Sequence, residues 1–405
     1  MKKLAVIYRG WNEHWPLATL ADNGEQLLFE YSEEALRRQL ELSPRMLKLR
    51  AAAYGDFPDY LTRLPGLIAD CLPDGWGLLL MDRAFRKLGL KQVSPLDRLA
   101  FIGDRAMGAL AFEPANEDAL PDEDVHLLEL ARSVRAVEDG KDVDILRQLI
   151  LLGGSPQGAR PKALVDYDPA TGTMRTHGNG AGEPWLIKFP AREEHKDACA
   201  LEHAYAASAA ECQLEMPETA WFDLGRQYAA FGIKRFDRQA GMRVPMHTLA
   251  GLLHADFRIP SLDYTTFLRA TRFLTRDERE VAKAYRRAVF NVVFNNRDDH
   301  AKNFAYCLDE RRRWKLAPAY DLTFNVGPGG EHQMDVCGEG RAPGRADLLK
   351  LAADAEVPKA QAGEIIDRIA SVAANLKPRL ADYPIRKVRQ REVVAAVEAN
   401  LARIR

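Results

Sequence analysis

The sequence predicts an α+β protein of two lobes, the first mixed and the second mostly helical, and three observations carry that expectation. Apolar runs of strand length occur early, at Leu4 to Tyr8, Leu27 to Tyr31, Leu164 to Tyr167 and Trp185 to Phe189. From about Thr275 the apolar residues change to helical spacing, with Val281, Tyr285, Ala288, Val289, Val292 and Val293 on one face. Two further helical stripes close the chain: Ile365, Ile369, Val372, Ala373 and Leu376, then Val393, Val394, Val397 and Leu401.

In chain order, the first 115 or so residues mix strands with helical stretches such as Gly75 to Leu88. Ala115 to Glu123, acidic and following Pro114, reads as a linker. A second unit then runs helix (Val143 to Leu151), glycine-rich loop, strand, turn (Asp168-Pro-Ala-Thr-Gly172), strand, helix (Asp197 to Glu211) and strand. Thr275-x-x-Glu278 has capping-box spacing and opens the helical part. Phe304 to Leu308 and Arg313 to Leu316 flank a turn-like Asp309–Arg312, so a hairpin is expected there. A junction near residues 234–240 leaves a cleft between the lobes, the usual place for a ligand.

Composition narrows the function. The 405 residues are 47% hydrophobic, enough for a sizeable core, so disorder is excluded for the bulk of the chain. Fifty-seven Lys and Arg balance 58 Asp and Glu, so no whole-chain field draws the protein to nucleic acid or a membrane. The longest apolar runs, such as Leu78 to Met81, fall far short of the roughly 20 residues that span a bilayer. Five cysteines without a C-x-x-C pair argue against a disulfide framework and for a reducing, cytoplasmic setting.

Four elements could carry chemistry. The densest is Asn295-Asn-Arg-Asp-Asp-His-Ala-Lys-Asn303, costly to bury unless its members satisfy one another or a ligand, and otherwise a solvated helix terminus. Asp298 and Asn303 stand five apart, the separation of base and metal-binding amide in the kinase loop H-R-D-x-x-x-x-N. The hairpin should return Asp321 to the neighbourhood of Asn303, where carboxylate and amide would suit Mg²⁺, although a turn or capping aspartate is the simpler reading of Asp321 alone. Lys188, inside Trp185-Leu-Ile-Lys-Phe-Pro, either snorkels from an edge strand or has an anionic partner. Its setting is similar to V-A-I-K, whose Lys holds ATP phosphates, and Glu202 is the candidate ion-pair partner. Gly153-Gly-Ser-Pro-Gln-Gly-Ala-Arg-Pro-Lys162 is not a Walker A loop. Its glycines and its Arg160 and Lys162 suit phosphate, and an ordinary loop after a helix end remains open. Loop, strand lysine, Asp-x4-Asn and Asp follow one another in the order of a phosphoryl-transfer enzyme.

Ser155-Pro-Gln-Gly-Ala-Arg-Pro-Lys162, Ile187-Lys-Phe-Pro190, Lys234-Arg-Phe-Asp-Arg238, Asn296-Arg-Asp-Asp-His-Ala-Lys-Asn303 and Pro318-Ala-Tyr-Asp321 together resemble the HipA-type serine/threonine protein kinases, toxin halves of bacterial toxin–antitoxin pairs. Leu72-Pro-Asp-Gly-Trp76 and Phe101-Ile-Gly-Asp104 are similar to that family's N-terminal subdomain. The resemblance implies a two-lobed protein-kinase-like fold with an added N-terminal subdomain (1–120), an N-lobe (121–236) and a mostly helical C-lobe (237–405). It implies ATP and Mg²⁺ as cofactors and a protein hydroxyl as acceptor. Asp298 would then be the catalytic aspartate, and Asn303 and Asp321 the metal ligands. Gln157, Gly158, Ala159, Arg160 and Lys162 would cover the phosphates and Lys188 would contact them. Lys234, Arg235 and Phe236 would hold adenine through backbone, and His300, Lys302 and Tyr320 would line the pocket. Some members carry an acidic residue where Lys234 stands, a departure that a backbone contact tolerates. Ser155 corresponds to the family's autophosphorylated serine, whose modification expels the loop and silences the enzyme. Family substrates include aminoacyl-tRNA synthetases, and the expected partner is a HipB-like helix-turn-helix antitoxin, with DNA reached only through that complex.

Two rival functions are a small-molecule phosphotransferase of similar core and an inactive nucleotide-binding regulator working through a DNA-binding partner. His195, Cys199 and His203, at i, i+4 and i+8, read as helix surface in preference to a zinc site, because no fourth ligand is spaced locally. Arg379, Arg386, Lys387, Arg389 and Arg391 read as a solvated helix face that could also meet DNA phosphates within an antitoxin complex.

Overall fold

Backbone pairing builds two separate antiparallel sheets before the chain turns helical. The computed structural model describes residues 1–90, 92–115, 124–140, 158–176 and 182–405. The first sheet has the order β4-β3-β2-β1-β5, from β1 (Lys3–Tyr8), β2 (Trp15–Asp22), β3 (Leu27–Tyr31), β4 (Ala53–Tyr54) and β5 (Leu110–Glu113). Its first and third strands lie where the sequence pattern put them. Helix Gly75–Lys87 likewise forms as expected, and buries Trp76, Leu80, Met81, Ala84 and Phe85 at helical spacing.

The second sheet, order β7-β6-β8-β10-β9, comprises β6 (Lys162–Asp168), β7 (Thr173–Arg175), β8 (Glu183–Lys188), β9 (Thr219–Asp223) and β10 (Ala229–Lys234). The turn at Asp168 does reverse the chain, its carboxylate accepting from Ala170 N–H at 2.9 Å. It leads, however, into the short β7 and not directly into the strand of Lys188. Buried Met174 explains why so polar a segment pairs at all. The consequential pairing is β6 with β8, which sets Lys162 directly opposite Lys188, both buried. Helix Leu127–Glu138 and the inner face of helix Gly75–Lys87 join this sheet in one apolar cluster containing Trp76, Val134, Val165, Trp185 and Ile187. The expected helix Val143 to Leu151 and the expected linker from residue 116 onward lie outside the described residues.

After a two-strand ribbon, β11 (Arg238–Gln239) and β12 (Met242–Arg243), a small sheet β13-β14-β15 forms from Met246–Thr248, Ala305–Leu308 and Trp314–Leu316. The last two are the predicted hairpin. Helices Tyr264–Thr275, Glu278–Val293, Arg345–Asp354, Lys359–Ala374 and Lys387–Ile404 supply the rest of the core, and the predicted stripes face inward with only Val394 partly exposed. The capping box is corrected. Thr275 ends one helix, its hydroxyl donating to Thr271 O, and Asp277 caps the next by accepting from Arg279 N–H at 2.9 Å. Glu278 is drawn instead to Arg272, at 2.6 Å. No described helix is long and apolar enough to cross a membrane.

The N-terminal part is welded to the rest by buried polar contacts. Asp70 accepts from Thr248 N–H (2.8 Å) and Thr248 Oγ1 (2.6 Å) and lies 2.6 Å from His247 Nδ1. Arg238 and Arg243 donate to the carbonyls of Ala106 and Gly108, and Asp237 accepts from Gly108 N–H at 2.8 Å.

Candidate active site

One side of the candidate site is the second sheet. Lys188 Nζ lies 2.6 Å from Glu202 Oε1 and 2.7 Å from Asp321 Oδ1, so a lysine that could have snorkelled is instead buried between two carboxylates. Helix Asp197–Glu211 presents Glu202, whose other oxygen accepts from Arg160 at 2.8 Å, and Arg160 also pairs with Glu194. Burial works against the charge on Lys188, but Asp321 and Glu202 outweigh it and raise the ammonium above its usual range. Opposite it, burial and the neighbouring Lys188 charge bring Lys162 down to about 8. Asp321 is held well below the ordinary carboxylate range: burial pushes it up, and Lys188 followed by Lys162 pulls it further down. Its backbone adopts φ +57°, a left-handed conformation an aspartate tolerates better than most residues.

The facing wall is the loop after helix Glu278–Val293. Asp299, fully buried, accepts from Tyr264 Oη (2.6 Å) and Gln333 N–H (2.8 Å), with His332 Nδ1 at 2.7 Å. Asn291 Nδ2 donates to Tyr264 Oη, and Asn296 Nδ2 donates to Asn291 Oδ1, so this network pins the loop to the helical core. Asp298, just before it in the chain, has far weaker company: Gln333 Nε2 at 3.3 Å and His300 Nε2 at 3.8 Å. Burial raises its carboxyl above the ordinary range; nearby His300 opposes this, and the charges of Asp321 and Asp299 add to it. Asn303 donates its Nδ2 to Asp298 O at 2.6 Å, which turns its amide oxygen away from that carbonyl. Tyr320 donates to Lys302 O at 2.6 Å and packs 5.5 Å from Phe236, closing the lobe junction with aromatic surface.

The structure thus brings Lys162, Lys188, Glu202, Asp321, Asp298 and Asn303 close together. Other predicted positions fall differently. Ser155 and Gln157 lie outside the described residues, whereas Gly158 (φ +107°), followed by Ala159, lies against the Lys162 ammonium. The N–H groups of Lys234 and Arg235 are engaged by Glu218 O and Pro184 O, and the Arg235 side chain is buried against Asp237. Any backbone contact to a base there falls to Phe236 and the carbonyls. Lys302 is paired with Asp74 at 2.9 Å. His195 lies beside Asp197, Cys199 is buried beneath the Lys188 and Ala229 carbonyls, and His203 meets Thr219. These three therefore point to different partners. Among the described residues no group of three or more metal-ligating His, Cys, Asp or Glu side chains forms. Of the basic C-terminal set, Arg379, Arg386 and Arg389 are paired with Glu211, Asp197 and Glu392. Sequence reasoning missed Tyr264, His332 and Gln333, and it gave Asp74 only as part of Leu72-Pro-Asp-Gly-Trp76, with no role at the site. The improbable Asp-Asp pair was a signal that one carboxylate needed partners, but nothing local named them.

Residues 154–376 match the family model described as the HipA-like C-terminal domain, and residues 10–113 match the HipA N-terminal domain. A protein of Sinorhizobium fredii (strain NBRC 101917 / NGR234) named "Putative kinase Y4dM" is 26% identical over 312 residues, 73% of this chain and 70% of its own length. A similarly named protein of that strain, Y4mE, is 26% identical over 283 residues, 64% of this chain and 65% of its own length. Among solved structures, a chain from the complex of the Shewanella oneidensis MR-1 toxin–antitoxin system HipA, HipB and its operator DNA superposes with a TM-score of 0.71. That alignment covers 98% of this chain and 96% of the other at 16% identity, and it establishes the fold.

Proposed function

Because the chain belongs to the HipA family, whose C-terminal domain model spans more than half of it, we propose that it is an ATP- and Mg²⁺-dependent protein serine/threonine kinase, the toxin of a toxin–antitoxin module. The observation that carries this reading is the buried Lys188 held between Glu202 and Asp321, with Asp298 close enough for the Asp321 charge to act on it.

The chemistry follows from positioning and electrostatics. Lys188, Lys162 and the Gly158 end of the loop receive the phosphates, while Phe236 and Tyr320 flank the base. Asp298 orients an acceptor hydroxyl and takes its proton. Weak partners and a raised pKa suit a carboxylate to that task better than the saturated Asp299. The donors present fit Mg²⁺: Asn303 offers an amide oxygen, and Asp321 stays ionised with one oxygen on Lys188 and the other available. When bound, the ion would neutralise charge on the phosphates.

We extend the proposal to the acceptor, a translation component such as an aminoacyl-tRNA synthetase, and to Ser155 as the autophosphorylated off switch. A HipB-like helix-turn-helix protein is the proposed partner, by analogy with the HipA–HipB–operator complex, and DNA is met only through it. Boundaries near 120 and 236 divide the N-terminal subdomain, N-lobe and C-lobe. The deciding experiment is transfer of labelled phosphate from Mg·ATP to protein acceptors by wild type and Asp298→Asn. The variant should bind ATP normally yet transfer about 10²–10⁴-fold more slowly. Transfer at the wild-type rate would remove Asp298 from the mechanism, and transfer to aminoglycosides or sugars alone would make the enzyme a small-molecule phosphotransferase.

A further inference from the structure

We propose that the N-terminal unit is a working part of the phosphoryl-transfer site, with Asp74 as the positioning residue that fastens the Gly158 end of the glycine-rich loop to the catalytic loop; this rests on the kinase reading above. Asp74 stands at the N-cap position of helix Gly75–Lys87, where an aspartate ordinarily accepts from the helix's own first turn. It makes no such bond. One carboxylate oxygen accepts from the N–H of Gly158, and the other accepts from Lys302 Nζ at 2.9 Å. The contacts reach across 84 and 228 positions of sequence, so they join three parts of the fold.

Neighbouring atoms complete a clasp. Trp76 N–H donates to Gly158 O at 3.2 Å, so both polar backbone groups of Gly158 are held by residues 74 and 76. Gly75 has φ +41°, and a Cβ there would lie 2.6 Å from Ala159 Cα, so only glycine lets the two backbones meet. On the far side, Lys302 Nζ rests 4.1 Å from the Phe257 ring centre and its own carbonyl accepts from Tyr320. The pair is ionic. Burial pushes the Asp74 carboxyl up, but Lys302 outweighs it and leaves the group below its usual range.

A glycine-rich segment over phosphates must be ordered when nucleotide binds, and that ordering costs entropy unless it is met beforehand. Residues 74–76 meet it at the end of the loop that leads into Lys162, and they do so through the catalytic-loop lysine. The two walls are thereby registered to one another before ATP arrives.

Full-length wild type and Asp74→Asn are compared by hydrogen exchange without nucleotide and by steady-state kinetics. In the variant, the Gly158 to Lys162 segment should exchange faster while helix Gly75–Lys87 does not. KM for ATP should rise about tenfold with a smaller change in kcat, less than the hundredfold that misplaced reacting atoms bring. Asp74→Glu, which keeps the charge, should recover part of the loss. Should Asp74→Asn fail to fold, Gly75→Ala, which presses on Ala159 from the same side, must loosen the segment instead. Unchanged exchange at Gly158, or a KM for ATP that stays the same or falls, overturns the clasp. A wild-type protein that transfers no phosphate overturns the kinase reading, and the exchange comparison separates the two failures.

Discussion

The sheet wall and the loop wall both bury carboxylates, yet they hold them by different means. Beside the sheet, Glu202 and Asp321 are matched by full positive charges, the strand's Lys188 between them and Arg160 beyond Glu202. On the loop, Asp299 is satisfied by a phenol, an imidazole and a backbone N–H, and no lysine or arginine is among these partners. Ion pairs can be exchanged for a ligand's charges, since phosphate or a cation can replace either member. A carboxylate saturated by hydrogen bonds has nothing to exchange, and it serves as a peg. On the proposed kinase reading, the difference means that one wall can trade partners with a nucleotide while the other holds Asp298 still and leaves it lightly partnered.

The sharpest way to break this contrast is to remove the central member of each wall. Lys188→Met leaves Glu202 and Asp321 facing each other without their shared cation, and breaking a buried pair in this way costs about 3–5 kcal/mol. Asp299→Asn keeps the shape but leaves one neutral accepting oxygen and turns the other into an NH2 that cannot accept from these donors, at about 1.5–3 kcal/mol. Denaturant unfolding should rank the variants in that order. ATP binding should be lost in Lys188→Met and largely kept in Asp299→Asn, where phosphate transfer falls instead. If both variants lose the same function, the two walls are not divided as described.

How much of this was legible beforehand follows the same division. The trading wall was readable because its members sit in short patterned segments, Lys188 in an apolar strand, Glu202 on the next helix and Asp321 after a hairpin, and on the loop wall Asp298 and Asn303 were readable by standing five apart. The strands at Leu4 and Leu27 and the helical stripes were readable for the same reason, being local periodicity. The pegs were not. His332 and Gln333 lie in an irregular segment with no period, and Tyr264 looks like any core aromatic until its hydroxyl is seen on Asp299. Asp74 carries an N-cap's local sequence and makes a long-range contact. Long-range pairing leaves no trace in spacing, and the misplaced capping box at Thr275 shows the converse, a correct spacing that a better-placed Asp277 pre-empted.

A pH titration sharpens the comparison next. Lys162 sits at about 8 in the folded protein, below the ordinary lysine range, because burial and Lys188 both oppose its charge. A triphosphate favours the charged form, so binding above pH 8 requires uptake of a proton, and ATP affinity should fall as pH rises past about 8, by at most tenfold per unit. Lys162→Arg should flatten that limb. If Asp298 is the base, as proposed, its raised carboxyl must ionise before it can accept a proton, so kcat should climb with pH through a range above that of an ordinary aspartate. For stability the sign at Lys162 is the reverse of a paired lysine. The folded state binds its proton less tightly than the unfolded chain, so this residue's contribution improves as pH rises from about 8 and is complete above the unfolded value.

The smallest effect is expected where the same kind of pair stands in water. Arg389 lies 2.7 Å from Glu392 on helix Lys387–Ile404, with side chains 32% and 47% exposed, and its guanidinium covers the Phe324 ring at 4.9 Å. Solvent screens both charges, and holding two long side chains in one geometry costs rotamer freedom, so Arg389→Ala should lower stability by only about 0.3–0.5 kcal/mol. Phosphate transfer should be unchanged. Lys188 and Arg389 thus form ion pairs of similar length, 2.6 Å and 2.7 Å, whose removal differs in cost by about tenfold in free energy. The partners of Arg379 and Arg386 lie within this chain as well, so the isolated protein should show no retention on DNA at physiological salt. Salt-dependent retention that Arg389→Ala weakens would reassign this face from a screened surface to a phosphate-binding one, and would show that burial is not what separates the two pairs.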